Sequence, residues 1–287
     1  MRNISNSLHK TKLNDWLIML VLAIILFPTN VFADHFKILG MNEGMPSSTV
    51  RAITQDKYGF IWFGTYSGLC RYDGHNFSVS KNITEDPTSI IANKVYSLSA
   101  TEYGIWVGTE KGLDFYSYTS NRFNHCYYIS DDLKTRSSLG NITNIVRQGH
   151  NLYITNNKGE LFCHKKGFVF KKMNLNVPRS IGWFGLLPYK NNLLLAQASD
   201  GVYVLNPSTG KIISRFERKI SSQGCNLFYD KKSHLLYIGF GLGFKTKVYH
   251  LTENDQIEEV EMQVPSNVNS IISYKGLLLF ATDGQGM

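Results

Sequence analysis

No two of the four cysteines in this sequence are close enough for a C-x-x-C pair; Cys70, Cys126, Cys163 and Cys225 are scattered among strand-like stretches. That spacing signals neither a zinc site nor a disulfide scaffold, and reads as buried or idle thiols. The eight histidines show no H-x-H or H-E-x-x-H spacing, so no metal site is expected. Also missing are a Ser-His-Asp order, a phosphate loop, and a pair of carboxylates of the kind a glycosidase aims at one bond. No catalytic residue is nominated and no cofactor is expected. The net charge of +8 is scattered rather than gathered into a basic tract. Without such a stripe or a reading motif, no nucleic-acid partner is expected.

Long hydrophobic runs are scarce as well. The uncharged stretch from Trp16 to Phe27 is shorter than the about 20 residues a spanning helix needs. Arg2, Lys10 and Lys12 precede it, Pro28 follows, and Val31-Phe32-Ala33 offers a small-residue cleavage site. Residues 1–33 are therefore expected to be a signal peptide removed after Ala33, with an uncleaved anchor as the alternative. Setting aside Arg2, Lys10, Lys12 and Asp15 leaves a charge of +6 on residues 34–287, a length that suits one large all-β domain.

What the sequence does contain is a repeat. Phe60-Ile61-Trp62-Phe63-Gly64-Thr65 is followed by Gly68-Leu69, and Asp73-Gly74 closes the unit with a dipeptide favoured in hairpin turns. Residues 102–116 repeat it, with Trp106, Gly108, Thr109, Gly112 and Leu113 matching Trp62, Gly64, Thr65, Gly68 and Leu69 position for position. Further copies are anchored at Tyr153, Leu195, Tyr237 and Leu279, at intervals of 44, 47, 42, 42 and 42 residues from Trp62 onward. A period of about 43 residues, punctuated by Gly and Asn every 8–12, marks a β-propeller of four-stranded blades.

The first blade is expected at 50–55, 61–65, 69–72 and 76–80, and the second at 94–100, 105–109, 113–118 and 123–128. Later copies degenerate, and in the third Asn156-Asn157-Lys158-Gly159 replaces Thr-x-x-Gly. About five and a half blades are present. The sixth stops where its third strand should start, so 34–287 is expected to be an incomplete propeller cut from a longer, seven-bladed one.

The residues Ile53 to Asp56, Gly59 to Thr65, Gly68-Leu69 and Arg71 to Gly74, with the lead-in Gly44-Met45-Pro46-Ser47-Ser48-Thr49-Val50, resemble the two-component-regulator propeller repeat. The resemblance is strong in the first two blades and fades after the third. It implies the exported, periplasmic input region of a hybrid two-component sensor histidine kinase. Such a region would bind oligosaccharides, control polysaccharide-utilisation genes, dimerise through the parent sensor and meet the membrane only through segments outside the propeller. A different output domain, such as a cyclic-dinucleotide synthase, is the first alternative. A stand-alone binding scaffold is the second, and a polysaccharide lyase or glycosidase the third.

Trp62 and Trp106 read as blade-to-blade core, Gly64 and Gly108 as points of close strand approach, and Thr65 and Thr109 as turn hydrogen-bonders. Asp56, Gly59 and Trp62 look superficially like an Asp-box turn, which is itself structural. Specificity is expected on the face formed by the loops before the first strands and the turns between second and third strands. From it Tyr66, Asn93, Lys111, Asn157, Arg179, Trp183 and Asp200 are the ligand-binding candidates, because sugar rings and acidic substituents use aromatic faces, amides and charges. Trp183 ranks first, since Ile181-Gly182-Trp183-Phe184 departs from the strand pattern of the other blades.

Overall fold

Short apolar runs separated by glycine turns fold here as hairpins joined end to end. The computed structural model describes residues 38–130, 135–175, 184–197, 201–216, 226–239, 245–252 and 257–282, and residues 39–287 form one compact unit. Blade one is β1 (Val50–Gln55), β2 (Ile61–Thr65), β3 (Gly68–Tyr72) and β4 (Phe77–Ser80), antiparallel and in chain order. Blade two is β5 (Val95–Ala100), β6 (Gly104–Thr109), β7 (Leu113–Ser117) and β8 (Arg122–His125). A short pair, β9 (Tyr127–Ile129) and β10 (Arg136–Ser137), precedes blade three: β11 (Ile142–Gln148), β12 (Asn151–Asn156), β13 (Leu161–Lys166) and β14 (Val169–Lys172). Blade four is β15 (Phe184–Tyr189), β16 (Asn192–Gln197), β17 (Gly201–Leu205) and β18 (Ile212–Phe216). Blade five is β19 (Asn226–Asp230), β20 (Leu235–Gly239), β21 (Lys247–Leu251) and β22 (Ile257–Val260), and a two-stranded sheet follows, β23 (Val268–Tyr274) with β24 (Leu277–Thr282). The first strands adjoin in succession, β1 to β5, β11, β15, β19 and β23, which is the arrangement of a β-propeller.

Burial follows from that geometry. First strands such as β1 alternate between half-buried and exposed positions, whereas every residue of β6 is buried, because the middle of a blade is covered on both faces by its neighbours. Apolar clusters fill each junction; Trp62 of blade one packs with Val95, Ile105, Val107 and Tyr116 of blade two, and Trp106 of blade two packs with Ile142, Ile154 and Phe162 of blade three. The junction has a repeated lock. Four first strands shift register at the same place, Val50/Ala52, Val95/Ser97, Ile142/Asn144 and Val268/Ser270. The residue before three of these shifts sits under a glycine of the preceding blade: Val95 under Gly64, Ile142 under Gly108, Val268 under Gly239.

Asp56 anchors the β1–β2 turn and is almost fully buried. One carboxylate oxygen accepts the Tyr58 and Phe60 amides at 2.9 and 3.0 Å, and the other accepts the Trp62 indole N–H at 2.7 Å. Asp56→Asn keeps the shape but turns one acceptor into a donor facing a donor. A loss of about 1 kcal/mol is expected, read as a melting temperature lower by about 2–4 °C.

Two details differ from the sequence expectation. Residues 127 and 128 do not continue the outer strand of blade two. The chain turns away at Cys126, whose side chain is buried between blades two and three, and Tyr127 and Tyr128 pair in parallel with Val169 and Phe170 on β14. They cover an edge that would otherwise be open, making blade three six-stranded. In blade four the register aligns Leu194, not Leu195, with Trp62, since Leu194 pairs with Val204 and Val204 packs toward blade five.

Candidate functional site

The turns between second and third strands are built from the inside out. Thr65 is fully buried; its hydroxyl donates to the Gly68 carbonyl at 2.8 Å and accepts the Ser67 amide at 3.1 Å. Thr109 repeats this in blade two, donating to Gly112 at 2.9 Å and accepting the Lys111 and Gly112 amides. Blade three substitutes Asn156, which accepts the Lys158 and Glu160 amides at 3.0 Å each and donates to the Leu139 carbonyl and the Glu160 carboxylate. Burial works against the Glu160 charge, but hydrogen bonds from Lys172 and Asn156 outweigh it and hold its carboxyl below the ordinary glutamate range.

Each turn is tied to the loop entering its own blade's first strand. The Tyr66 amide donates to Thr49, Glu110 to Lys94, and Asn157 to Asn141, at 3.4, 3.0 and 2.9 Å. Other bonds cross between blades: the Gly68 amide donates to the Asn93 carbonyl at 2.8 Å, and the Ser138 hydroxyl to the Lys111 carbonyl at 2.9 Å. Tyr66, Asn93, Lys111 and Asn157 therefore stand exposed on one hydrogen-bonded face running across blades one to three. Asn93 also accepts the Asn82 amide through its side chain at 2.8 Å. Arg179, Trp183 and Asp200 lie outside the described residues.

Tyr96 had no signal in the sequence, whereas Glu110 and Asn141 lie on the turn and lead-in segments expected to form the face. Tyr96 on β5 stands edge-on to Tyr66 with ring centroids 6.0 Å apart. Glu110 pairs with Lys94 at 3.3 Å, and the Asn141 side-chain oxygen is buried without a hydrogen-bond partner among the described residues. Packing of blade two on blade one brings Tyr96 to Tyr66. The face offers an aromatic ring, amides and an ammonium group.

Among the described residues no group of three or more His, Cys, Asp and Glu side chains could hold a metal ion. The His125–Asp114 contact lies at the blade-two crossover, not on this face. Cys70, Cys126 and Cys163 are free thiols, and burial pushes Cys70 up to about 11; Cys225 lies outside the described residues. No helix among the described residues is long and apolar enough to cross a membrane.

Repeated hairpins locked by glycines and a turn-built face define an all-β propeller. Residues 44–67 match the sequence pattern described as two component regulator propeller. A protein named Histidine kinase P4, from Formosa agariphila, is 46% identical over 55 residues, 19% of this chain and 4% of that protein. Among solved structures, the extracellular domain of a B. thetaiotaomicron protein described as a hybrid two component system superposes with a TM-score of 0.71 at 20% identity, over 87% of this chain and 34% of the other. Virginiamycin B lyase from Staphylococcus aureus shares the fold with a TM-score of 0.60 at 15% identity, over 81% of this chain and 77% of the other. The chain thus spans a third of the extracellular domain it resembles and a small fraction of the kinase.

Proposed function

We propose that residues 34–287 are a non-catalytic sensory propeller, exported by residues 1–33 to the periplasm, that binds an oligosaccharide and biases an attached histidine kinase. Binding acts by favouring one of two conformations of the receptor, so the ligand needs different affinities for the two and no chemistry. The observation that carries this reading is the face of Tyr66, Asn93, Lys111 and Asn157, held on turns hydrogen-bonded within and between blades. The repeat match and the short, 46% identical stretch of Histidine kinase P4 support the kinase as the output. Homodimerisation through the parent sensor and control of polysaccharide-utilisation genes belong to the same reading.

The test is a thermal-shift screen of an oligosaccharide panel on the whole chain. A ligand at about 100 times its Kd stabilises by about 2.7 kcal/mol, and the double variant Tyr66→Ala/Lys111→Ala is expected to weaken binding at least tenfold. A panel that moves no melting temperature, or a double variant that binds like the parent, overturns the reading.

A further inference from the structure

Away from the turn face, the outer junction of blades one and two holds a cleft of about 250 Å³ lined by Trp62, Arg71, Ser78, Ser80, Tyr116 and Asn121. Strand register creates it. Trp62 on β2 pairs with Arg71 on β3, and Arg71 pairs with Ser78 on β4, so three side chains form a row on the face turned toward blade two. The corresponding rows are Trp106–Phe115–Asn124 in blade two, Tyr153–Cys163–Lys171 in blade three and Tyr237–Val248–Val260 in blade five. There the third-strand member packs into the next junction: Phe115 against Trp106 at 4.6 Å between ring centroids, Cys163 and Val248 within apolar clusters. Blade one places a guanidinium at this position.

Packing alone does not use that charge. Arg71 lies over the Phe60 ring at 4.8 Å and the Trp62 ring at 5.9 Å, which holds the guanidinium against aromatic surface. Among the described residues it makes no ion pair with a carboxylate: Asp73, two residues on, accepts the His75 and Asn76 amides, and Asp56 already accepts three N–H groups. The remaining lining is also rich in donors. The Asn121 oxygen accepts the Tyr116 hydroxyl at 2.9 Å, leaving the amide nitrogen free, and the Ser78 and Ser80 hydroxyls make no hydrogen bond to other described residues. Donors converging on a cleft with aromatic walls suit an anion that also carries hydroxyls. A planar guanidinium is the group that takes a carboxylate bidentately. The volume lies below the about 300 Å³ at which drug-sized sites begin, which limits the occupant to roughly one ring.

We infer that this cleft is a binding subsite for a small hydroxylated carboxylate of the sugar-acid class. Arg71 takes the carboxylate, while Ser78, Ser80 and the Asn121 amide take the ring hydroxyls. The subsite is independent of the turn face.

Calorimetric titration of the whole chain with D-glucuronate, D-glucose and acetate tests it. D-glucuronate is expected to bind, D-glucose not to bind at the same concentration, and acetate to bind at least tenfold more weakly than D-glucuronate. Arg71→Gln should weaken D-glucuronate at least tenfold. Ser78→Ala, at an exposed position of β4, should weaken it about threefold and serves if Arg71→Gln fails to fold. Tyr66→Ala/Lys111→Ala should leave it unchanged, which separates this subsite from the turn-face reading. Absence of D-glucuronate binding, equal binding of acetate, or full binding by either cleft variant overturns the proposal.

Discussion

Gly108→Ala is expected to lower stability by about 3 kcal/mol, the upper end of what overpacking costs in a close-packed core. A methyl at Gly108 would lie 2.2 Å from the Ser97 hydroxyl oxygen, 2.8 Å from Cγ2 of Ile142 and 3.0 Å from its Cβ. The serine can rotate away. The Ile142 Cβ cannot, because it is fixed to the backbone of β11 at the register shift, and its side chain is fully buried against Trp106 and Leu113. Relief therefore requires moving blade three outward from blade two. Urea denaturation should show a lower midpoint with an unchanged slope, since the surface exposed on unfolding is the same. Ile142→Ala removes the nearer Cγ2 contact but keeps the Cβ, at its own cost of about 2–5 kcal/mol, so the double variant should be partly relieved and less destabilised than the sum by more than about 0.5 kcal/mol. Simple additivity would mean that the Cγ2 contact contributes nothing to the clash. Gly112→Ala is the internal control: its methyl meets the end of Ile91 at 3.5 Å, an ordinary contact, and little loss is expected.

The same lock explains why so much of the fold could be read from sequence. A glycine two residues after a large residue in each second strand is required wherever the next blade inserts a Val or Ile, so the packing rule is written as a repeated word. Blades one and two carry the word intact, and their strands lie within one or two residues of where the pattern puts them, apart from 127 and 128. Those two were misread because alternation describes which face a residue occupies and says nothing about which sheet edge it joins. Leu193-Leu194-Leu195 misled for a related reason: three identical residues carry no parity, and only the pairing with β17 fixes it. Of the candidate face, the turn positions Tyr66, Lys111 and Asn157 were legible because hairpin turns display their central residues. Glu110 and Asn141 lie on the same turn and lead-in segments and were legible too, whereas Tyr96 was not, since it sits on β5 and meets Tyr66 only through the packing of blade two on blade one. Arg71 was visible inside the repeat word, yet its position in an otherwise apolar row appears only once strands are paired.

Asp114→Asn is expected to cost about 3 kcal/mol and to change how stability depends on pH. Asp114 sits on β7 with no exposed surface. One oxygen accepts the Ile91 amide at 2.7 Å, and the other accepts Nδ1–H of His125 at 2.7 Å. The carboxylate thus ties the crossover from blade one, where Ile90 is fully buried, to the outer hairpin of blade two. Asparagine offers one acceptor to two donors. Breaking a buried pair by removing one partner costs about 3–5 kcal/mol, and the lower figure applies because His125 is partly exposed and can be solvated. Burial pushes the Asp114 carboxyl above the ordinary aspartate value, against the opposing pull of its two hydrogen bonds. The hydrogen bond to Asp114 raises His125 above its ordinary 6.5. A folded state that holds the imidazole proton more tightly than the unfolded chain gains stability from it at low pH. That gain is full below the unfolded value and disappears as pH rises through the folded one. Parent stability measured by urea denaturation should therefore fall as pH rises from near 6.5 through the folded His125 value. Asp114→Asn and His125→Gln should both flatten this segment of the curve, because each removes the bond that holds the proton. A parent curve flat over that interval, or a slope that survives in both variants, would assign the pH dependence to other groups and reduce the Asp114–His125 contact to a neutral strut.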